Sequence, residues 1–320
     1  MAKTTELRDP WLVAVWPGMG SVAVLAGSHL VQQLGAEPVA ALSASEFFEL
    51  QSVQVKDGLA SPAPLPRSLF FEWRDPQLRH DLLIFVGEEQ PSHSGYLLCQ
   101  KVIEYAASRG VRRLFTFAAM ATQLQLGTRP KVFAAATDPE GLAELRRVGV
   151  QIMSEGQISG LNGVLLAAGA ERGLKGICLL GELPFFAVGV PNPRASLAVL
   201  EPFSRITGIP LDFTQLKREA RAVEKNLRQL LEQMSHAAGQ ADPEAGEEWK
   251  VEEDEEPDES EPPSSGENRL DPRLQQRIER LFERAARDRS KALELKQELD
   301  RLGVFQQYED RFLDLFRKAE

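Results

Sequence analysis

The stretch ISGLNGVLLAAGAERGLKGICLLGELPFFAVGVPNPRAS, Ile158–Ser196, decides how the chain is read. Ser159 precedes a run of small and apolar residues reaching about Glu171, the pattern of a capped helix. Lys175–Gly181 (KGICLLG) is short and apolar, the pattern of a strand buried on both faces. Asn192-Pro193 then starts a second helix through about Ile206. Asparagine can bond a first-turn amide there, and proline lacks the N–H that would go unbonded.

The same grammar extends outward. Upstream, Trp11–Trp16 (WLVAVW) and Leu82–Val86 (LLIFV) are further buried strands. The first leads through PGMGS to a helix headed by Ser21 and ending near Leu34; the second leads to a helix over Tyr96–Ser108. Arg113–Ala119, Val132–Ala136 and Val150–Met153 read as strands, with an Asp138-Pro139-led helix to about Arg147 among them. Pro38–Ala44, Ser52–Asp57 and Ser68–Trp73 are strands without a long helix between them, which predicts an inserted hairpin. Pro62, Pro64 and Pro66 predict a stiff, extended loop over Leu59–Arg67. Buried strands alternating with helices over Trp11–Ile209 define an α/β domain with a largely parallel sheet.

Past the domain the pattern becomes helical. Asp212 is placed to cap a long helix, with Gln215 in capping-box position, whose seam is Leu216, Ala220, Val223, Leu227, Leu230 and Met234. A second heptad seam runs Leu274, Ile278, Leu281, Ala285, Asp288, Ala292, Leu295, Leu299, Leu302 and stops at Gly303. Between them, Gln240–Pro262 holds twelve acidic residues and one base, Lys250. The net charge of -10 therefore resides in this segment and the remainder is close to neutral. A neutral body has no basic face for nucleic acid. The expected division is a core of residues 1–239, an acidic disordered linker at 240–267 and a helical tail at 268–320. The tail packs on its own chain, on another copy, or on a different protein.

No apolar run is long enough to span a bilayer, and MAKTTELRDP has no signal-peptide core, so a cytoplasmic protein is expected. Cys99 and Cys178 sit in apolar surroundings and read as buried thiols. No metal-type spacing and no need for a cofactor is evident.

Gly18-Met19-Gly20-Ser21-Val22-Ala23 fits the glycine pattern of a dinucleotide-binding turn, but the second strand ends in Ala44-Ser45 without the acidic residue such a site uses. Ser159, Gly160 and Asn162 form a second glycine-led helix start able to hold an anion; Gly163 and Gly169 also suit close helix–sheet packing. Glu88, Glu89, Glu155 and Glu182 follow strands, where carboxylates can act as acid and base or simply cap backbone amides. His93 follows the first pair. No nucleophile elbow, zinc-protease or P-loop motif occurs. Any pocket should face the Gly18–Ser21 turn from Ser159–Asn162 and Glu182.

Several of these residues together resemble the proteasome assembly chaperone family of the second type, in its archaeal and bacterial branch. They are the Gly160/Gly163 helix start, the strand ending in Gly181-Glu182, the Asn192-Pro193-led helix, VAVWPGMGSVAV and IFVGEEQP, over about Trp11–His236. The resemblance implies a three-layer α/β/α sandwich similar to purine nucleoside phosphorylases, with a helical extension beyond it. It also implies homo-oligomers, trimeric or larger, and no established catalytic residues. Some relatives reach proteasome particles through a hydrophobic-Tyr-x terminus. Here Ala319 holds the penultimate position, so docking by that route is not expected; the helical tail is a separate candidate route to a protein partner. The two functions carried forward are an oligomeric scaffold or assembly factor and a binder, or enzyme, of a nucleoside-like or anionic small molecule.

Overall fold

The computed structural model describes residues 6–50, 52–239, 272–287, 291–302 and 304–315. The acidic segment and Phe316–Glu320 lie outside the described residues, as does seam residue Asp288.

Strand β1 (Trp11–Val15) shows why the domain has three layers. Leu12, Val13, Ala14, Val15 and the following Trp16 are all fully buried. Side chains alternate along a strand. Val13 and Val15 enter one core with helix α1 (Val22–Leu34), while Leu12, Ala14 and Trp16 enter a second with helix α2 (Gly95–Ser108). Each fully buried aliphatic side chain contributes about 1.5–3 kcal/mol, so neither face can be left open.

The other strands are β2 (Glu37–Leu42), β3 (Val53–Lys56), β4 (Leu59–Pro62), β5 (Ser68–Trp73), β6 (Leu82–Gly87), β7 (Arg113–Thr122), β8 (Val132–Ala136), β9 (Gln151–Ile152) and β10 (Lys175–Pro184). Eight of them form one sheet in the order β2-β5-β6-β1-β7-β10-β8-β9. β6, β1, β7 and β10 run parallel at its centre. β5 runs against both β2 and β6, β8 runs against β10, and β9 is parallel to β8. The short returns from β5 to β6 and from β7 to β8 explain this, because a parallel return needs a crossover of a dozen or more residues. β3 and β4 pair only with each other, Val53 opposite Pro62 and Lys56 opposite Leu59. The predicted proline loop is therefore half strand. Pro62 is tolerated because a lone ribbon leaves its outer edge unbonded.

Helices α3 (Pro139–Arg147), α4 (Leu161–Glu171), α5 (Pro193–Thr207) and α6 (Thr214–Gly239) complete the sandwich. α2 and α4 cover one face; α1 and α5 cover the other, with α6 against α5. Asp138 and Asn192 cap as expected, accepting from Gly141 and Ala195 amides at 3.0 Å. Asp212 accepts the Thr214 amide at 2.9 Å, whereas Gln215 bonds Glu219 and closes no capping box. The α6 seam is buried at Leu216, Ala220 and Leu227, and is exposed by Leu230.

The tail folds differently from a single long helix. Its seam divides between α7 (Pro272–Arg287) and α8 (Ala292–Arg301), which pack on each other, followed by α9 (Phe305–Asp314). Ile278, Leu281, Ala285, Ala292, Leu295 and Leu299 are buried together, so the two halves of the seam face one another. α8 also lies against the short turn Phe185–Ala187 of the core.

Candidate functional site

The C-terminal ends of β1, β7 and β10 meet the starts of α1 and α4, and a cavity of about 610 Å³ opens there. Gly18 and Met19 line it from the first turn. Glu155, Ser159, Gly160 and Asn162 line it from the segment entering α4. Met120 and Met153 add apolar wall, and Lys296, Phe305 and Glu309 of the tail complete the lining. Six of the sequence candidates are thus brought together. Burial, with Asp310 close by, pushes the Glu309 carboxyl above the usual range against the opposing pull of Lys296.

Two side-chain amides hold this arrangement. Asn162 is 5% exposed and bonds both sides of the Trp16 peptide group, accepting its N–H at 2.9 Å and donating to its carbonyl at 3.1 Å. Gln90 donates to the Pro17 carbonyl at 2.5 Å and accepts the Leu161 N–H at 2.9 Å. Gln90, rather than Ser159, therefore caps α4. It was missed from sequence because its partners lie far away in the chain and its residue type marks no motif.

Several amides of both glycine-led turns are bonded within the protein. Gly20 donates to the Val188 carbonyl at 2.7 Å and Ser21 to Gly18 at 2.9 Å. The Gly20 carbonyl in turn accepts from Asn192 at 2.7 Å. Gly20 has φ +60, and a Cβ there would lie 2.7 Å from Leu183, so only glycine fits. Ser21 is itself left-handed, at φ 50, and makes no capping bond through its side chain. At α4, the Gly163 and Val164 amides both bond Gly160, at 3.0 Å each. A Cβ on Gly163 would strike the Ile158 carbonyl, whereas one on Gly169 would strike Leu114 of the sheet. Close helix–sheet packing thus accounts for Gly169; Gly163 instead lets the chain turn tightly into α4.

The remaining candidates lie elsewhere. Glu182 is 7% exposed and accepts from Thr122 Oγ1 at 2.9 Å and the Lys131 amide at 2.8 Å. It stitches β10 to the loop before β8 and does not face the first turn. Glu88 accepts from the Arg67 amide at 2.8 Å, and the Arg67 side chain holds its carboxyl below the usual range. Glu88, Glu89 and His93 line a separate groove of about 690 Å³ beside the β3–β4 hairpin. Cys99 and Cys178 are fully buried, and burial pushes both thiols up to about 12. Among the described residues, no group of three or more His, Cys, Asp and Glu side chains is placed to hold a metal ion. No helix among them is long and apolar enough to cross a membrane.

The fold is a three-layer sandwich in which amides of both glycine-led turns bond the protein itself. The sequence model of the PAC2 family matches residues 12–231, and the chain belongs to this family of proteasome assembly chaperone homologues. It is similar to PbaB of Pyrococcus furiosus, an archaeal proteasome activator, at 28% identity and TM-score 0.61, covering 71% of this chain and 96% of that one. PbaA of the same organism, an archaeal homolog of proteasome-assembly chaperone, is 25% identical at TM-score 0.57, covering 73% and 92%. An uncharacterised protein of Methanocaldococcus jannaschii is 27% identical over 248 residues, 76% of this chain and 92% of that protein.

Proposed function

We propose that this chain is a non-enzymatic, self-associating assembly factor of the cytoplasm that engages other proteins through its C-terminal helices. The observation that carries the reading is that five amides of the two glycine-led helix starts already bond the protein. The Gly20, Ser21, Leu161, Gly163 and Val164 amides are all committed to protein acceptors. An anion would have to displace those bonds, and each displaced buried group costs about 1–3 kcal/mol. The relatives named as a proteasome activator and a proteasome-assembly chaperone homolog support the partner class, a proteasome particle or its precursor. In this reading residues 1–239 form the core, 240–267 are a linker and 268–320 are the arm that meets the partner.

The 610 Å³ cavity favours a second reading, a small amphipathic ligand held between its methionines and Glu155. Native mass spectrometry of the full chain purified from its own host separates the two. The expected result is several copies carrying a retained polypeptide and no small molecule. A stoichiometric small-molecule adduct overturns the first reading in favour of the second, and a bare monomer overturns both.

A further inference from the structure

The β3–β4 hairpin is the least covered part of the core. Residues 52–62 are exposed without interruption, with Val53 at 60%, Val55 at 69% and Leu59 at 76%. Directly opposed residues of an antiparallel pair share a face. Val53 and Val55 therefore lie with Pro62 and Ala60, and this face carries no polar side chain. Gln54, Ser61 and Lys56 occupy the other face with Leu59. A two-stranded ribbon alone is at best marginally stable in water, so an apolar face of this kind calls for a cover.

The counter-surface is on the same chain. The 690 Å³ groove begins at the hairpin's own base, at Ser52 and Ala63, and is walled by Phe48, Leu50, Pro64 and Leu65. It also contains Glu89, which is exposed and makes no ion pair among the described residues; its neighbour Glu88 is already held by Arg67. Lys56, at the hairpin tip, makes no ion pair among them either. An apolar ribbon ending in a free cation thus matches a groove whose hairpin end is apolar and whose far end is polar, with Glu89 as a free anion.

We infer that the occupant is a second copy of this chain: the hairpin of one copy seats in the groove of its neighbour, apolar face inward, with Lys56 reaching Glu89. Ribbon and groove share one base, so a neighbour that receives the hairpin presents its own hairpin to the donor's groove. The contact is reciprocal and joins copies in pairs, which makes the assembly even-numbered. Each strand of the ribbon is about 13 Å long at about 3.3 Å per residue, enough to place the tip deep in the neighbour's groove. This inference rests on the self-association proposed above and assigns its surface.

The test is the mass of the full chain, by light scattering and native mass spectrometry, for four forms. The wild-type is expected to be even-numbered. Val53→Glu with Val55→Glu is expected to halve that mass while leaving the melting temperature of the core unchanged, because both side chains are exposed. Lys56→Glu is expected to raise the dissociation constant tenfold or more, and Lys56→Glu with Glu89→Lys to restore it. An odd-numbered assembly, or one whose mass survives the double valine change, overturns the hairpin interface while leaving self-association standing. A monomeric wild-type, with or without a foreign polypeptide attached, overturns both.

Discussion

Replacing Asn162 by alanine tests whether the strand-end site is locked by its own chain. Asn162 satisfies the N–H and the carbonyl of Trp16, a residue with no exposed surface. Its removal orphans two backbone groups at once. If water from the adjoining cavity reaches them, the loss is that of two net hydrogen bonds, about 1 kcal/mol each. If it does not, each orphan costs about 1–3 kcal/mol. The expected destabilisation is therefore about 2–6 kcal/mol, and with a urea slope of about 3 kcal/mol/M the midpoint falls by about 1–2 M. Urea unfolding followed by far-ultraviolet circular dichroism measures it. Ser159→Ala, which removes no recorded bond, serves as the control and is expected to stay within about 0.5 kcal/mol of the wild-type. An Asn162→Ala variant as stable as that control refutes the argument. The turn after β1 would then be free to accept a ligand.

Three further outcomes follow from the same geometry. Asp75 is buried and accepts from Arg79 Nε at 2.6 Å, and this bond holds its carboxyl well below the usual range. Its contribution to stability is present above about pH 4 and is lost as pH falls further, so Asp75→Asn should flatten the acid limb of a melting-temperature profile; an unchanged limb counts against it. Cys99 and Cys178, with thiols pushed up to about 12, should resist a maleimide at pH 8 in the folded protein and react at both positions in denaturant; equal rates in both states would contradict their burial. Gly163→Ala should cost about 1–3 kcal/mol or more, since its Cβ meets the Ile158 carbonyl, and a melting temperature within one degree of wild-type would disprove that crowding.

The central strands were legible because burial on both faces leaves a continuous apolar run, as in WLVAVW and LLIFV. The direction of β8 was not, because a strand's composition does not record whether its neighbour runs with it or against it. Glycines at turns were visible, but the question of whether their amides bind a ligand or the protein depends on residues such as Val188 and Gln90, distant in sequence. Gly18, Glu155 and Ser159 met in one cavity as the strand-end rule implies, whereas Glu88 and Glu182 were drawn to Arg67 and to Thr122 and Lys131. The tail seam was read as continuous, whereas its described residues divide between α7 and α8. Heptad spacing is the same whether a helix meets another chain or folds back on itself.

The position of β1 has a consequence for synthesis. The first strand of this sheet in chain order is a central one, flanked by β6 and β7, and Trp16 is clamped by a residue 146 positions later. Until β7 has left the ribosome, the sheet cannot close around it, and the Asn162 clamp follows later still. At about 5–20 residues per second, WLVAVW waits roughly seven to thirty seconds for Asn162, 146 residues later. During that interval its only protection is transient, non-native collapse or a bound chaperone. A protein proposed to guide the assembly of others is thus itself exposed to misassembly while it is being made.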